Sequence, residues 1–114
     1  MWPKSGLSLG CGLGAKKTWK VAISYILDLE YGGFLYWQMP NLNELLSICN
    51  HSEVNPAIWS PFTDVQTDNY SGYWTSTTYK SNTLNAWIVR FIDGYGYALL
   101  KSLTTYIRPV RRFV

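Results

Sequence analysis

Histidine is almost missing from this 114-residue sequence; His51 is the only one. Cysteine is scarce as well, with Cys11 and Cys49 alone. Neither sits in a Cys-x-x-Cys or other ligand spacing, and one imidazole with two thiols does not make a metal centre that needs several converging ligands. The two thiols permit one disulfide without demanding it. Acidic residues number seven, and no acid–base pair with histidine support emerges from them. No catalytic residue, metal or cofactor is therefore assigned. Apolar runs fall well short of the roughly 20 residues of a membrane span. The start of the chain does not read as a secretion signal: Lys4 is basic, but residues 5–14 are weakly apolar and interrupted by Gly6, Gly10, Gly12 and Gly14. Ser8-Leu9-Gly10-Cys11 has the outline of a lipid-attachment site, with no proper leader before it.

The length corresponds to one domain, residues 1–114, large enough to bury a core without metal or disulfide staples. Its net charge of +3 is modest, but the charges are segregated. Residues 1–20 carry Lys4, Lys16, Lys17 and Lys20 and no acid. Residues 21–79 hold Asp28, Glu30, Glu44, Glu53, Asp64 and Asp68 without one Lys or Arg. Residues 80–114 set Lys80, Arg90, Lys101, Arg108, Arg111 and Arg112 against Asp93 alone. Such a pattern fits pairing between acidic helices and a basic sheet, or a basic face for an anionic partner.

Aromatic residues are abundant, at 17% with nine Tyr and six Trp. They concentrate in strand-like runs. Residues 73–79, 86–92, 95–101 and 104–112 are rich in aromatic and β-branched residues and are separated by turn signals. Ile92-Asp93-Gly94-Tyr95 is the centre of the pattern. Asp-Gly between two such runs predicts a two-residue hairpin turn with φ > 0 at both positions. Residues 86–92 should pair antiparallel with 95–101, with 73–79 on one side and 104–112 on the other or nearby. Pro109 cannot donate to a ladder, so its strand is expected at an edge or bulged. Arg111 falls on the more apolar row of that strand, where a half-buried guanidinium needs Glu44 or Asp93 as a partner. Arg108 and Arg112 fall on the other row.

Two helices precede the strands. Thr18 caps a predicted helix in which Trp19, Ala22, Ile23, Ile26 and Leu27 form the buried face, and Tyr31-Gly32-Gly33 stops it. Residues 34–38 read as extended, since Pro40 keeps Met39 out of the helical region. Asn41 and Glu44 have the spacing of a capping box, followed by a stripe of Leu42, Leu45, Leu46 and Cys49. Cys49 on that stripe reads as a small core residue, and His51 lies near the helix end, where it complements the helix dipole. Residues 51–69 form a long connection anchored by Ala57, Ile58, Trp59 and Phe62. Its Asp64, Asp68 and Asn69 do not have the spacing of a calcium loop and read as solvated loop groups.

Taken in order, several short pieces are familiar. They are Met1-Trp2, Thr18-Trp19 with Ala22-Ile23, Trp37-Gln38-Met39-Pro40-Asn41 with Glu44-Leu45, and Asn55-Pro56-Ala57-Ile58. Tyr73-Trp74-Thr75-Ser76-Thr77-Thr78-Tyr79, Ala86-Trp87 and Ile107-Arg108-Pro109-Val110-Arg111 complete the set. This ordered set resembles the C-terminal domain of the Legionella collagen-like adhesin, a bacterial domain family of unknown function. The resemblance implies an α+β fold similar to formylglycine-generating enzymes and, more distantly, C-type lectins. Two helices would pack on a twisted, mostly antiparallel sheet with long loops. Trp37, Glu44, Trp74, Trp87, Asp93, Gly94 and Arg111 would then be structural. The family's usual Trp-Arg-Leu-Pro reads Trp37-Gln38-Met39-Pro40 here. Ile26 and Pro109 stand where many members carry cysteines of a helix-to-last-strand disulfide, which makes a reducing compartment more tolerable. The strand that usually leads into Met1-Trp2 is expected to be truncated or replaced.

By resemblance, the leading functional expectation is a non-catalytic, adhesin-like binding module for glycans or anionic polysaccharides, at the cell surface or secreted and often oligomeric. Lys80, Arg90, Lys101, Arg108 and Arg112 would engage sulfate or carboxylate, and Tyr and Trp would stack on sugar faces. The second expectation is a protein-interaction or self-assembly domain of mobile-element or phage origin. An enzyme of the formylglycine-generating type ranks lower, because Cys11 and Cys49 lie outside the late strands. Nucleic-acid binding also ranks lower, because the acidic middle opposes it.

Overall fold

The computed structural model describes residues 16–29, 37–53, 56–58 and 71–111. The elements run α1 (Trp19–Leu27), β1 (Trp37–Gln38), α2 (Leu42–Leu46), β2 (Tyr73–Thr78), β3 (Asn85–Arg90), β4 (Tyr95–Leu100) and β5 (Val110–Arg111). The fold is α+β. β2, β3 and β4 form one antiparallel sheet in that order, and β1 and β5 form a separate antiparallel pair.

The central hairpin is present, with Arg90 opposite Tyr95 and Asn85 opposite Leu100. Its turn differs from the expected two-residue form. Residues 91–94 make a four-residue loop closed by the Gly94 N–H on the Arg90 carbonyl at 2.7 Å. Gly94 takes a positive φ of 79°. The longer loop has a packing cause: Phe91 is fully buried, so the chain dips into the core before it turns. Asp93 Oδ1 accepts the Tyr95 N–H at 3.0 Å and completes the loop locally.

Strand alternation divides the sheet into two apolar faces, each covered by one helix. Trp74, Ala86 and Ile88 pack with Ala22 and Ile26 of α1, together with Trp37 and Met39. Tyr73 and Val89, on the opposite face, pack with Leu45 of α2, Ile48, Cys49 and Phe91. The sheet therefore lies between the helices. Pairing slips between Trp74 and Thr78, and there Thr75 turns its hydroxyl onto the Trp87 carbonyl at 2.8 Å. The slip also brings Ser76 to Pro40 and Thr77 Oγ1 to the Leu42 N–H, which fastens β2 to the start of α2.

Both helices begin where the sequence indicates. Asn41 and Glu44 form the reciprocal capping box. Thr18 occupies the N-cap position of α1, but its side chain makes no cap hydrogen bond. Leu27, expected on the buried face of α1, is 66% exposed. The buried stripe of α1 is narrower than the sequence pattern: Ala22, Ile26 and, just past the helix, Leu29 face the sheet, and Leu27 lies off that line. α2 ends at Leu46, so Cys49 follows the helix and bridges to Ile58.

The closing segment does not pair with β4. Tyr106 lies parallel beside Tyr73, on the far side of β2, and Thr105 bridges to Lys17. Residues 105–110 are all buried. Pro109 immediately precedes the short β5, which among the described residues pairs with β1 alone. The expected helix stop at residues 31–33, most of the extended piece at 34–38, the 59–69 loop, Cys11 and Arg112 lie outside the described residues.

Candidate functional site

Lysine and arginine lie across aromatic rings throughout the described residues. Lys101 Nζ is 4.1 Å from the Trp19 ring centroid, and the Arg90 guanidinium carbon is 4.2 Å from that of Tyr97. Lys17 covers Tyr25 at 4.5 Å, Lys16 approaches Tyr106 at 5.1 Å, and Arg108 approaches Tyr73 at 5.9 Å. Cation–ring contacts normally occur about once per 70–80 residues. Rings thus fix where five of the ten Lys and Arg side chains sit.

Two of these stacks share one face of the sheet. Register puts Arg90 with Tyr95, and Ile88 with Tyr97. Arg90 therefore reaches Tyr97 diagonally. Lys101 continues the same alternation, with its N–H on the Leu84 carbonyl at 2.9 Å and its Nζ donating to Thr78 Oγ1 at 3.0 Å. From the level of Arg90 to Lys101 is about 20 Å along the strand. Lys80 is exposed in the turn joining β2 to β3, at the Lys101 end of the sheet.

A surface pocket of about 140 Å³ lies beside Arg90. Ser71 and Gly72 form one wall, Ile88, Arg90 and Leu99 the sheet side, and Thr104 and Thr105 the remainder. The Thr105 hydroxyl is already engaged: it donates to the Gly72 carbonyl at 2.6 Å and accepts the Gly72 N–H at 3.2 Å. Arg90 Nε is buried and has no hydrogen-bond partner.

Arg108 departs from the expected exposed set. Its side chain is fully buried, so it cannot form part of a solvent-facing basic patch. Alternation misplaces it because both sides of residues 105–110 are covered. Of the residues expected to be structural, Trp37 and Trp74 are buried, and Trp87 is half-buried against the Tyr79 ring. Glu44 completes the cap of α2. Asp93 accepts the Tyr97 hydroxyl at 2.5 Å, a bond that raises the Tyr97 pKa, with burial and the Asp93 charge acting in the same direction. Arg111 is placed by its backbone pairing with Trp37.

His51 is a hairpin contact. Its Nε2 lies 2.8 Å from the Gly94 carbonyl oxygen, and its ring lies 5.3 Å from that of Tyr95. Cys49 is a free, buried thiol whose pKa is pushed up to about 11 by burial, with Asp93 adding to the effect. That environment disfavours the nucleophilic thiolate. Among the described residues, no group of three or more His, Cys, Asp or Glu is arranged to hold a metal. No helix among them is long and apolar enough to cross a membrane.

Sequence reasoning placed Trp19 only on the buried face of α1, and it did not single out Ser71, Tyr97 or Thr104. Isolated hydroxyls and rings carry no local motif; strand register brings Tyr97 to Arg90, and the packing of α1 brings Trp19 to Lys101. In comparisons with known proteins, the family model described as Lcl C-terminal domain matches residues 1–111. No curated protein matches the chain.

Proposed function

The chain belongs to the Lcl C-terminal domain family, and from that membership we propose that it is a non-catalytic, lectin-like binding module for anionic polysaccharides. The observation that carries this reading is the pair of cation-on-ring stacks, Arg90 on Tyr97 and Lys101 on Trp19, along one sheet face. Lys80 adds an exposed charge at the Lys101 end. The Arg90 guanidinium lies over Tyr97, about 13 Å along the strand from Lys101, a spacing that suits successive groups of an extended polymer better than one small molecule. Cations supply the affinity for acidic groups, and exposed ring edges supply contact with sugar. Adhesin-like presentation at a cell surface belongs to the same proposal.

The test is retention on immobilised heparin against a neutral polysaccharide across a salt gradient. Retention should be selective and fall with salt, and Lys80→Ala/Lys101→Ala should elute earlier than the parent. Equal retention on both matrices, or an unchanged double variant, would overturn the reading.

The second reading is self-assembly. β4 has a strand neighbour on one side only among the described residues, and the strand Tyr95–Leu100 carries no charge. Sedimentation across a wide concentration range distinguishes the two. A concentration-dependent increase in mass supports self-assembly, and a constant monomer removes it.

A further inference from the structure

We infer that the open edge of β4 pairs with the same edge of a second copy of this chain, antiparallel about a two-fold axis at Ala98. The product is one continuous sheet in the order β2-β3-β4-β4-β3-β2. The inference rests on the self-assembly reading, to which it adds the surface, the partner and the register. It is independent of the polysaccharide reading.

The pairing pattern of the hairpin identifies the open main-chain groups. The Lys101 N–H bonds the Leu84 carbonyl, directly across the hairpin, at 2.9 Å. Bonded and non-bonded rungs alternate in an antiparallel pair. Leu99, Tyr97 and Tyr95 therefore turn their main-chain groups toward β3, and Gly96, Ala98 and Leu100 turn theirs outward. Of these outward groups, only the Leu100 carbonyl has a partner among the described residues, the Leu103 N–H at 3.0 Å. The edge also lacks the usual devices that keep edges apart. Tyr95–Leu100 contains no charged residue and no proline, and its register with β3 runs without a bulge. Ala98 is exposed, as are Tyr95 at 60% and Leu100 at 44%.

The strand is complementary to itself. With Ala98 opposite the partner's Ala98, Gly96 meets the partner's Leu100, Tyr97 the partner's Leu99 and Tyr95 the partner's Lys101. No like charges face each other across these rungs. Gly96 leaves space for the incoming leucine. A Cβ at Gly96 would stand 3.5 Å from Leu42 Cδ1 and 3.5 Å from Trp87 Cε3, so the leucine lands beside two apolar side chains. The neighbouring registers fit less well. Centring the axis on Tyr97 sets Leu100 against Gly94, which lies in the hairpin loop at a φ of 79°. Centring it on Leu99 sets Gly96 against Ser102, in the turn after β4. Only the axis at Ala98 lets all the outward residues of the strand meet one another. A two-fold contact of this kind closes at two copies.

The experiment is sedimentation velocity of the full chain from about 1 µM to about 1 mM. The parent should pass reversibly from one chain to two and no further. Ala98→Lys and Ala98→Asp each set like charges against one another across the axis, and each should weaken dimerisation at least about tenfold. An equal mixture of the two variants sets lysine against aspartate and should recover the dimer. Because Ala98 is exposed, both variants should keep the parent's urea midpoint, which separates loss of pairing from loss of fold. A constant monomer overturns this inference and the self-assembly reading together, and leaves the edge to an extended segment of another protein. Association that neither charged variant weakens, that mixing does not recover, or that continues beyond two chains overturns this inference alone. Self-assembly then uses another surface or another register.

Discussion

A Cβ added to Gly72 would stand 2.7 Å from Ile88 Cδ1 and 3.0 Å from the Val89 carbonyl oxygen. The start of β2 thus meets β3 at a point that leaves room only for hydrogen. The side-chain contact can relax by a change at Ile88, but the backbone oxygen is fixed in the sheet. Gly72→Ala should destabilise the fold by about 1–3 kcal/mol, the usual range for overpacking. It should appear as a lower urea midpoint with an unchanged slope. An unchanged midpoint would show that the strands separate there without cost.

The cap of α2 is a second local test. Asn41 Oδ1 accepts the Glu44 N–H at 2.8 Å, and Glu44 Oε1 accepts the Asn41 N–H at 2.8 Å. A helix of only five residues has little internal hydrogen bonding to sustain it. Asn41→Ala should cost about 1 kcal/mol in urea unfolding, whereas Asn41→Ser or Asn41→Asp should cost much less. Equal losses in all three variants would mean that packing of Leu45, not the cap, sets the start of the helix.

These two positions show what could be read from sequence. The capping box is local: four consecutive residues contain both partners, so Asn41 and Glu44 identify it by spacing. The pairing of 86–92 with 95–101 is nearly as local, and its register follows once the turn is placed. Gly94 was legible as a turn residue, but the four-residue loop was not, because burial of Phe91 decides it. Arg108 marks the limit of alternation. That rule assumes one wet face, and residues 105–110 have none. Opposite seating of the helices also lay beyond the pattern, since α1 and α2 each show one apolar stripe whichever face receives it. The pocket was the least legible part. Ser71, Arg90 and Thr104 are separated by long stretches of chain, and they meet only through β2–β3 pairing and the return of the chain past β2.

Gly94 and His51 offer a coupled prediction. At a φ of +79° a side chain is strained, and a Cβ on Gly94 would meet the His51 ring at 3.0 Å and the Ala57 Cβ at 3.2 Å. Gly94→Ala should therefore cost about 1–2 kcal/mol from the backbone, with the clash added. His51→Ala alone should lose about 1 kcal/mol with its bond to the Gly94 carbonyl. The double variant should be more stable than the sum of the single losses predicts, because removing the ring makes room for the new methyl. Strict additivity in a urea-denaturation cycle would place the whole cost of Gly94→Ala in the backbone and at Ala57.

Cys49 gives the fold an alkaline limit. Burial and then Asp93 raise its thiol from 9.0 to about 11. A raised pKa means that the folded state holds the proton longer than the unfolded chain does. The associated stability is fully present below about pH 9, falls as pH rises, and is lost once pH passes about 11. A shift of that size corresponds to at most about 2–3 kcal/mol. Tyr97 shifts in the same direction, so the alkaline decline of the parent contains both groups. Cys49→Ala separates them: its urea midpoint should fall less steeply between pH 9 and 11 than that of the parent, although it starts lower because a core atom is lost. In a Cys11→Ser background, a thiol reagent at pH 8 should label Cys49 only as fast as the fold opens, and at once in denaturant. Rapid labelling of the folded chain together with parallel pH profiles would mean that the thiol is exposed and ionises freely. Cys49 would then have to be reconsidered as a reactive group, not a packing residue beneath the hairpin.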